Sequence, residues 1–133
     1  HGWQVSGVDF VPRAIKIARR KIKAAKIDAD LHVGDVTKLR QIQSKFDLAL
    51  DMGCFHNLEK KKGDYLNRLD EILAPSGYWL LYAHMLSPQF SDPNHGLSTD
   101  DFKMIESRFD LISRTDSHDK IGRNAVWALF QKK

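Results

Sequence analysis

Short apolar runs alternate with amphipathic helical patterns along this chain, and this alternation limits its fold more than any other feature. The valine-rich residues 4–10 predict a strand, and apolar side chains at helical spacing predict a helix over residues 13–26. Further strands are predicted over residues 30–33, 46–52 and 78–83, and further helices over 37–43, 64–73 and 99–109, with a turn at 75–77. This order is typical of an α/β fold with a doubly wound, mostly parallel sheet.

The C-terminal end of the chain departs from the parallel pattern. Residues 111–117 and 125–131 predict two strands joined by the short polar connection 119–123. Because that connection is too short for a crossover helix, the two strands are predicted to be antiparallel. Residues 87–96 predict a long loop, of a length that is usually functional or mobile.

Length and cysteine content narrow the class of protein. The chain has 133 residues, which predicts a single domain, 1–133. The one cysteine, Cys54, excludes an internal disulfide and a cysteine-based zinc site, and no metal site is predicted. We find no apolar stretch of the roughly 20 residues that a membrane helix needs, and no targeting pattern, so a cytoplasmic protein without a membrane partner is expected.

The net charge of +4 is local. Residues 1–26 hold seven Lys and Arg against the single acid Asp9, whereas the remaining residues hold 14 bases and 16 acids. These bases lie mostly opposite the apolar stripe of the predicted helix. Such a charged face is typical of helices that bind nucleic acid, of helices that bind a membrane surface, and of helices that face solvent. Because no aromatic residue interleaves with the bases, the sequence favours the interpretation that this helix face is solvated. The run Lys60 to Lys62 is likewise interpreted as solvated.

Three acids stand at the predicted carboxyl ends of successive strands: Asp9, Asp35 and Asp51. Ligands of open α/β sheets bind outside the carboxyl ends of the strands. The two oxygens of a carboxylate match the hydroxyls of a ribose, and an acid on the next strand can accept from an exocyclic amine. The pattern therefore predicts a nucleoside-shaped ligand, while each acid taken alone is equally typical of a turn or a helix cap.

Four segments of the chain resemble class I S-adenosylmethionine-dependent methyltransferases. The segments are V-S-G-V-D-F-V-P-R-A-I-K-I-A-R (5–19), L-H-V-G-D-V (31–36), F-D-L-A-L-D-M-G-C-F-H-N-L (46–58) and L-A-P-S-G-Y-W-L-L-Y-A (73–83). They occur in the order and spacing of that family. The resemblance implies a Rossmann-like methyltransferase sandwich with an antiparallel C-terminal strand.

The resemblance also implies roles for individual residues. Asp9 would bind the ribose hydroxyls of S-adenosylmethionine, with Phe10 against the adenine face; Asp35 would receive the adenine amine and Val36 would offer its backbone N–H. Residues 51–53, including Asp51 and Gly53, would lie near the methionine part of the cofactor, and residues 54–58 would border the methyl group and the acceptor.

His56 lies in this last segment and has two interpretations. Its ordinary pKa suits a general base, and a buried histidine that orients the loop is the alternative. The G-C-F-H segment resembles small-molecule methyltransferases. A nucleic-acid methyltransferase and a non-catalytic, rearranged fragment stay as alternatives.

One part of the family pattern has no counterpart in the sequence. The family's first strand and its glycine-rich loop are absent, which would leave a gap of about 9 to 10 Å in the sheet. We therefore expect a fragment that binds the cofactor poorly by itself. The gap would be closed by direct strand pairing, by strand exchange in a homo-oligomer, or by chain outside this sequence.

Overall fold

A computed structural model describes residues 2–38, 42–87 and 96–133, and the chain divides into two compact units, His1–Gln41 and Ile42–Lys133. The first unit consists of strand β1 (Ser6–Asp9), helix α1 (Pro12–Ala25) and strand β2 (Asp30–Val33). β1 and β2 are parallel neighbours, with Asp9 opposite Val33. This unit is a β-α-β motif, as the alternating pattern predicts.

The ends of α1 follow from its sequence. Pro12 stands at the start of the helix, where its fixed φ suits the first turn and its missing N–H costs nothing. Ile15 is buried on the apolar side of the helix, between half-buried Ala14 and Ala18. Lys26 adopts the left-handed conformation and ends the helix, donating its backbone N–H to the carbonyls of the last turn.

The second unit contains a mixed four-stranded sheet. Its strands are β3 (Phe46–Met52), β4 (Leu73–His84), β5 (Phe109–His118) and β6 (Asn124–Lys132), in the spatial order β3-β4-β6-β5. β3 and β4 are parallel, and β6 is antiparallel to both β4 and β5. In the described part of this unit, the sheet is accompanied by two helices, α2 (Lys62–Ile72) and α3 (Thr99–Glu106), and by two short 3-10 helices, Phe55–Asn57 and Glu59–Lys61. The predicted antiparallel ending is confirmed.

The core of the second unit is formed by one face of this sheet and its helices. Trp79, Leu81 and Ala83 alternate along β4 and are fully buried, and Leu66 of α2 and Ile105 of α3 belong to the same cluster. The Trp79 ring lies 5.3 to 5.8 Å from the rings of Phe55, Phe109 and Phe130. Aromatic packing thus ties the end of β3, where Phe55 follows, to the antiparallel strand pair.

Several predicted boundaries differ from the structure. β4 begins at Leu73, so the predicted turn at 75–77 is wrong: Ser76, at φ 59°, lies in an irregular part of the strand, where β4 advances from Leu73 to Tyr78 while β3 advances only from Phe46 to Leu48. α3 ends at Glu106 rather than 109 because Phe109 begins β5. Two predictions fall partly outside the described residues. They are the helix over 37–43, of which residues 39–41 are not described, and the loop over 87–96, of which residues 88–95 are not described. Among the described residues, no helix is long and apolar enough to cross a membrane.

Candidate functional site

Asp9 and Asp35 follow the carboxyl ends of the two adjacent parallel strands of the first unit. Asp9 closes β1, and its Oδ1 accepts a hydrogen bond of 2.7 Å from the backbone N–H of Val11. Asp35 follows β2, and its Oδ1 accepts from both the backbone N–H and the hydroxyl of Thr37, at 2.9 and 2.7 Å. Both carboxylates are therefore held in place by the turns that they begin.

The two neighbours predicted to contact a nucleoside differ in exposure. Phe10 is 78% exposed, an unusual state for a phenylalanine, whereas Val36 is half-buried. The first unit thus presents an aromatic ring and two fixed carboxylates close to its strand ends. These are groups that a ribose and a purine can contact.

Asp51 closes β3 in the second unit and is almost fully buried, at 3% exposure. Its Oδ1 accepts from the backbone N–H of Cys54 at 2.7 Å, and its Oδ2 from the backbone N–H of Phe55 at 3.1 Å and the hydroxyl of Tyr65 at 2.8 Å. Burial raises the pKa of Asp51, and the hydrogen bonds from Cys54 and Tyr65 offset only part of that rise. This carboxylate fixes the backbone of the segment that follows it.

Gly53 has a backbone conformation that favours glycine, with φ at +90°. Its N–H donates to the carbonyl of Tyr82 on β4 at 3.0 Å, and its carbonyl accepts from the side chain of Asn57 at 2.6 Å. A Cβ added here would lie 3.3 Å from Cε1 of His56. The turn after β3 is thus tied to β4 and lies against the His56 ring.

His56 is buried at 5% exposure, and its ring centroid lies 5.2 Å from that of His84 at the end of β4. The backbone N–H of His84 points at His56 Nδ1 over 3.4 Å, so a neutral His56 ring carries its proton on Nε2. His56 lies in the 3-10 helix that follows β3, and its predicted role stays a prediction. Its close approach to His84 was not expected, because 28 residues separate the two.

Asp119 and Arg123, in the connection between β5 and β6, extend this cluster. Asp119 Oδ2 lies 3.4 Å from His84 Nε2 and accepts from Arg123 Nε at 2.7 Å. Desolvation opposes ionisation of Asp119, but the hydrogen bonds from Arg123 and Ile121 outweigh it and lower the pKa of Asp119 to about 2. Burial, assisted by the charge of Arg123, lowers the pKa of His84. A neutral imidazole therefore faces an ionised carboxylate at neutral pH.

Lys62, interpreted from the sequence as solvated, is buried instead. Its Nζ donates to Asp101 Oδ2 at 2.8 Å and lies 3.4 Å from the carbonyl oxygen of Gly96 and 5.8 Å from the Phe55 ring centroid. Asp101 also accepts from the backbone and side chain of Ser98 at the start of α3. The prediction failed because a lysine run gives no signal of which member meets a carboxylate 39 residues away.

The candidate residues thus form two groups, each within one unit. Asp9, Phe10, Asp35 and Val36 lie at the strand ends of the first unit, and in the second Asp51 lies near the end of β3, with Gly53 and His56 directly after that strand. Sequence reasoning missed Tyr65, Asp119 and Arg123. The spacing of Asp119 and Arg123 by four residues was the one local signal available for that pair.

Residues 1–77 match the profile of the family described as methyltransferase domain. The chain belongs to this family. Three uncharacterized methyltransferases of Schizosaccharomyces pombe are each 33% identical to it over 57 residues, which are 43% of this chain and 39% of the relative. The match thus spans about two fifths of the length of these curated methyltransferases.

Solved methyltransferase structures share the fold of the chain. The N-methyltransferase NodS of Bradyrhizobium japonicum, in complex with S-adenosyl-L-homocysteine, has a TM-score of 0.82 at 16% identity, over 97% of this chain and 66% of NodS. An S-adenosylmethionine-dependent methyltransferase of Clostridium acetobutylicum has a TM-score of 0.81 at 12% identity, over 98% of this chain and 75% of its own. The predicted Rossmann-like fold of a class I methyltransferase is confirmed.

Proposed function

We propose that this methyltransferase domain binds S-adenosylmethionine and transfers its methyl group to a small-molecule acceptor. The observation that carries the proposal is Asp9. Its carboxylate closes β1, and a single oxygen, Oδ1, is used to hold the Val11 N–H. In the described part of the first unit, Oδ2 of Asp9 has no hydrogen-bond partner, so it suits a sugar hydroxyl.

The other predicted residues fit the cofactor chemically. Asp35 and the backbone N–H of Val36 suit the amine and a ring nitrogen of adenine, and the exposed Phe10 ring suits its face. We assign Gly53, whose turn lies against the His56 ring, to the methionine part. Asp51 would act on the methionine part only indirectly, because its oxygens already accept hydrogen bonds from the backbone that follows Gly53.

S-adenosylmethionine, when bound, supplies an electrophilic methyl group on a sulfonium, so the protein has to align the acceptor and exclude water. His56 is our candidate general base. Because its Nδ1 faces the His84 N–H, His56 accepts a proton there only by giving up that hydrogen bond. If His56 instead only orients the loop, the hydrogen bond from the His84 N–H to His56 persists throughout the reaction. We also keep the cytoplasm as the proposed compartment, where the one cysteine, Cys54, would stay outside any disulfide.

Replacing Asp9 with Ala tests the proposal at its central residue. Loss of charge-assisted hydrogen bonds to the ribose should weaken binding of S-adenosylhomocysteine by about 1 to 3 kcal/mol. Calorimetry measures this in a form of the protein that is extended upstream by the family's first strand and glycine-rich loop. Asp28→Ala, at an exposed acid of the same unit, is the matched control and should leave the affinity unchanged. Equal affinities for the two variants would contradict the role of Asp9.

A further inference from the structure

The outward face of α1 concentrates positive charge. Seven Lys and Arg side chains lie in or directly after this helix, and all seven are exposed: Arg13, Lys16, Arg19, Arg20, Lys21, Lys23 and Lys26. The helix contains no acid. The described part of the first unit, residues 2–38, holds eight Lys and Arg against four Asp.

Four of these bases form a row along one side of the helix. Arg13, Lys16, Arg20 and Lys23 follow one another at intervals of three, four and three residues, the spacing of neighbours on a helix surface. At a rise of 1.5 Å per residue, the row is about 15 Å long. Like charges at this spacing repel one another, so the row costs stability unless something neutralises it.

The first unit itself does not neutralise the row. Within residues 2–38, none of the seven bases forms an ion pair; Arg19 donates to the carbonyl of Leu31, a neutral acceptor. Three of the four acids in residues 2–38 have other contacts: Asp30 pairs with His32, Asp9 accepts from the backbone of Val11, and Asp35 accepts from Thr37. The charges are therefore available to an anionic partner.

We propose that this face of α1 binds the phosphate backbone of a nucleic acid. A row of exposed cations is complementary to regularly spaced phosphates. An anionic membrane fits less well, because Ile15 is buried and α1 exposes just two apolar side chains larger than alanine, those of Pro12 and of Ile17 at 38% exposure. The helix has no aromatic side chain on which a base could stack, so binding is independent of base sequence.

This surface does not depend on the proposed methyl transfer, since phosphates would meet the bases of α1 and not the strand-end acids. The sequence alone favours a solvated face on the same helix. The structure adds that these seven bases are exposed and that none of them forms an ion pair within residues 2–38, which leaves the row open to a polyanion.

Fluorescence anisotropy of a labelled oligouridine, titrated with this chain, tests the proposal. Binding should weaken at least about tenfold between about 50 and 200 mM salt, because bound phosphates release counterions. The variant R13Q/K16Q/R20Q/K23Q removes the row while keeping good helix formers. It should lose most of the affinity, and the slope of log K against log salt should fall by about 3.

The matched control is K60Q/K103Q/K120Q/K133Q, which removes the same charge from exposed lysines of the second unit. This control should retain most of the wild-type affinity, and circular dichroism should show both variants folded. Equal losses in the two variants would mean that net charge, and not the α1 face, attracts the RNA. Absence of oligouridine binding by the wild type, or binding to phosphatidylserine vesicles in its place, would overturn the proposal.

Discussion

At the scale of single residues, the second unit depends on Asp51 more than the sequence indicates. The strand-end position of Asp51 is predictable from the apolar run before it. Its hydrogen bond with Tyr65 is not, since Tyr65 lies on a helix that packs against the strand only in the folded chain. A pattern of polarity locates a carboxylate but does not reveal which donors surround it.

Replacing Asp51 with Asn should destabilise the protein by about 2 kcal/mol, measured by urea unfolding. The amide keeps one acceptor but places an NH₂ against the N–H and O–H donors of Phe55 and Tyr65. Asp47→Asn, at an exposed position of the same strand, should change stability by less than about 0.5 kcal/mol. Similar losses for both would show that the buried network contributes little.

The Asp101 carboxylate makes the stability of the folded protein depend on pH, and the sign of that dependence follows from the direction of its pKa shift. Desolvation opposes its charge, but the hydrogen bonds from Lys62 and Ser98 outweigh this and lower the pKa of Asp101 below 3.8. The folded state therefore binds fewer protons than the unfolded state, and the stabilisation is present above pH 3.8 and lost as pH falls through the lowered pKa.

Asp101→Asn should therefore be less stable than the wild type near neutral pH, and this difference should shrink as the solution is acidified below pH 3.8. Urea unfolding at several pH values measures it. Asp100→Asn is the control, since that exposed acid pairs only with exposed Lys103. A deficit of Asp101→Asn that is constant with pH would contradict the stated origin of the stabilisation.

At the scale of elements, periodicity located most of the strands and helices and failed where a strand is irregular. The bounds of β2 and β3 follow from the sequence because both are short regular runs. Pro75, Ser76 and Gly77 have the composition of a turn, yet they continue β4. β4 advances from Leu73 to Tyr78 while β3 advances only from Phe46 to Leu48, so these residues form a bulge in β4, and their local pattern does not distinguish a bulge from a turn.

Gly77 makes this irregularity possible, and replacing it with Ala should destabilise the protein by about 2 kcal/mol. A Cβ at Gly77 would lie 2.9 Å from the carbonyl oxygen of Ala74 and 3.2 Å from that of Phe46, which are backbone atoms that cannot move aside. Thermal unfolding measures the effect. Gly63→Ala is the matched control: nothing lies within 4 Å of its Cβ, and the gain in helix propensity should stabilise α2 by up to about 1 kcal/mol.

At the scale of the whole molecule, the chain has two units whose sheets are separate. β1 is an edge strand of the two-stranded sheet, and β3 is an edge strand of the four-stranded one. Our prediction of a missing first strand, with strand exchange as one remedy, stays a prediction. The single-domain prediction likewise stays a prediction.

The most direct test of the account is calorimetric titration of S-adenosylhomocysteine into this chain and into a form extended upstream by a strand, a glycine-rich loop and a helix. We predict tight binding by the extended form and weak or undetectable binding by the chain alone, because Asp9 and Asp35 would hold only the nucleoside half of the ligand. Absence of binding by both forms would contradict the proposed cofactor site.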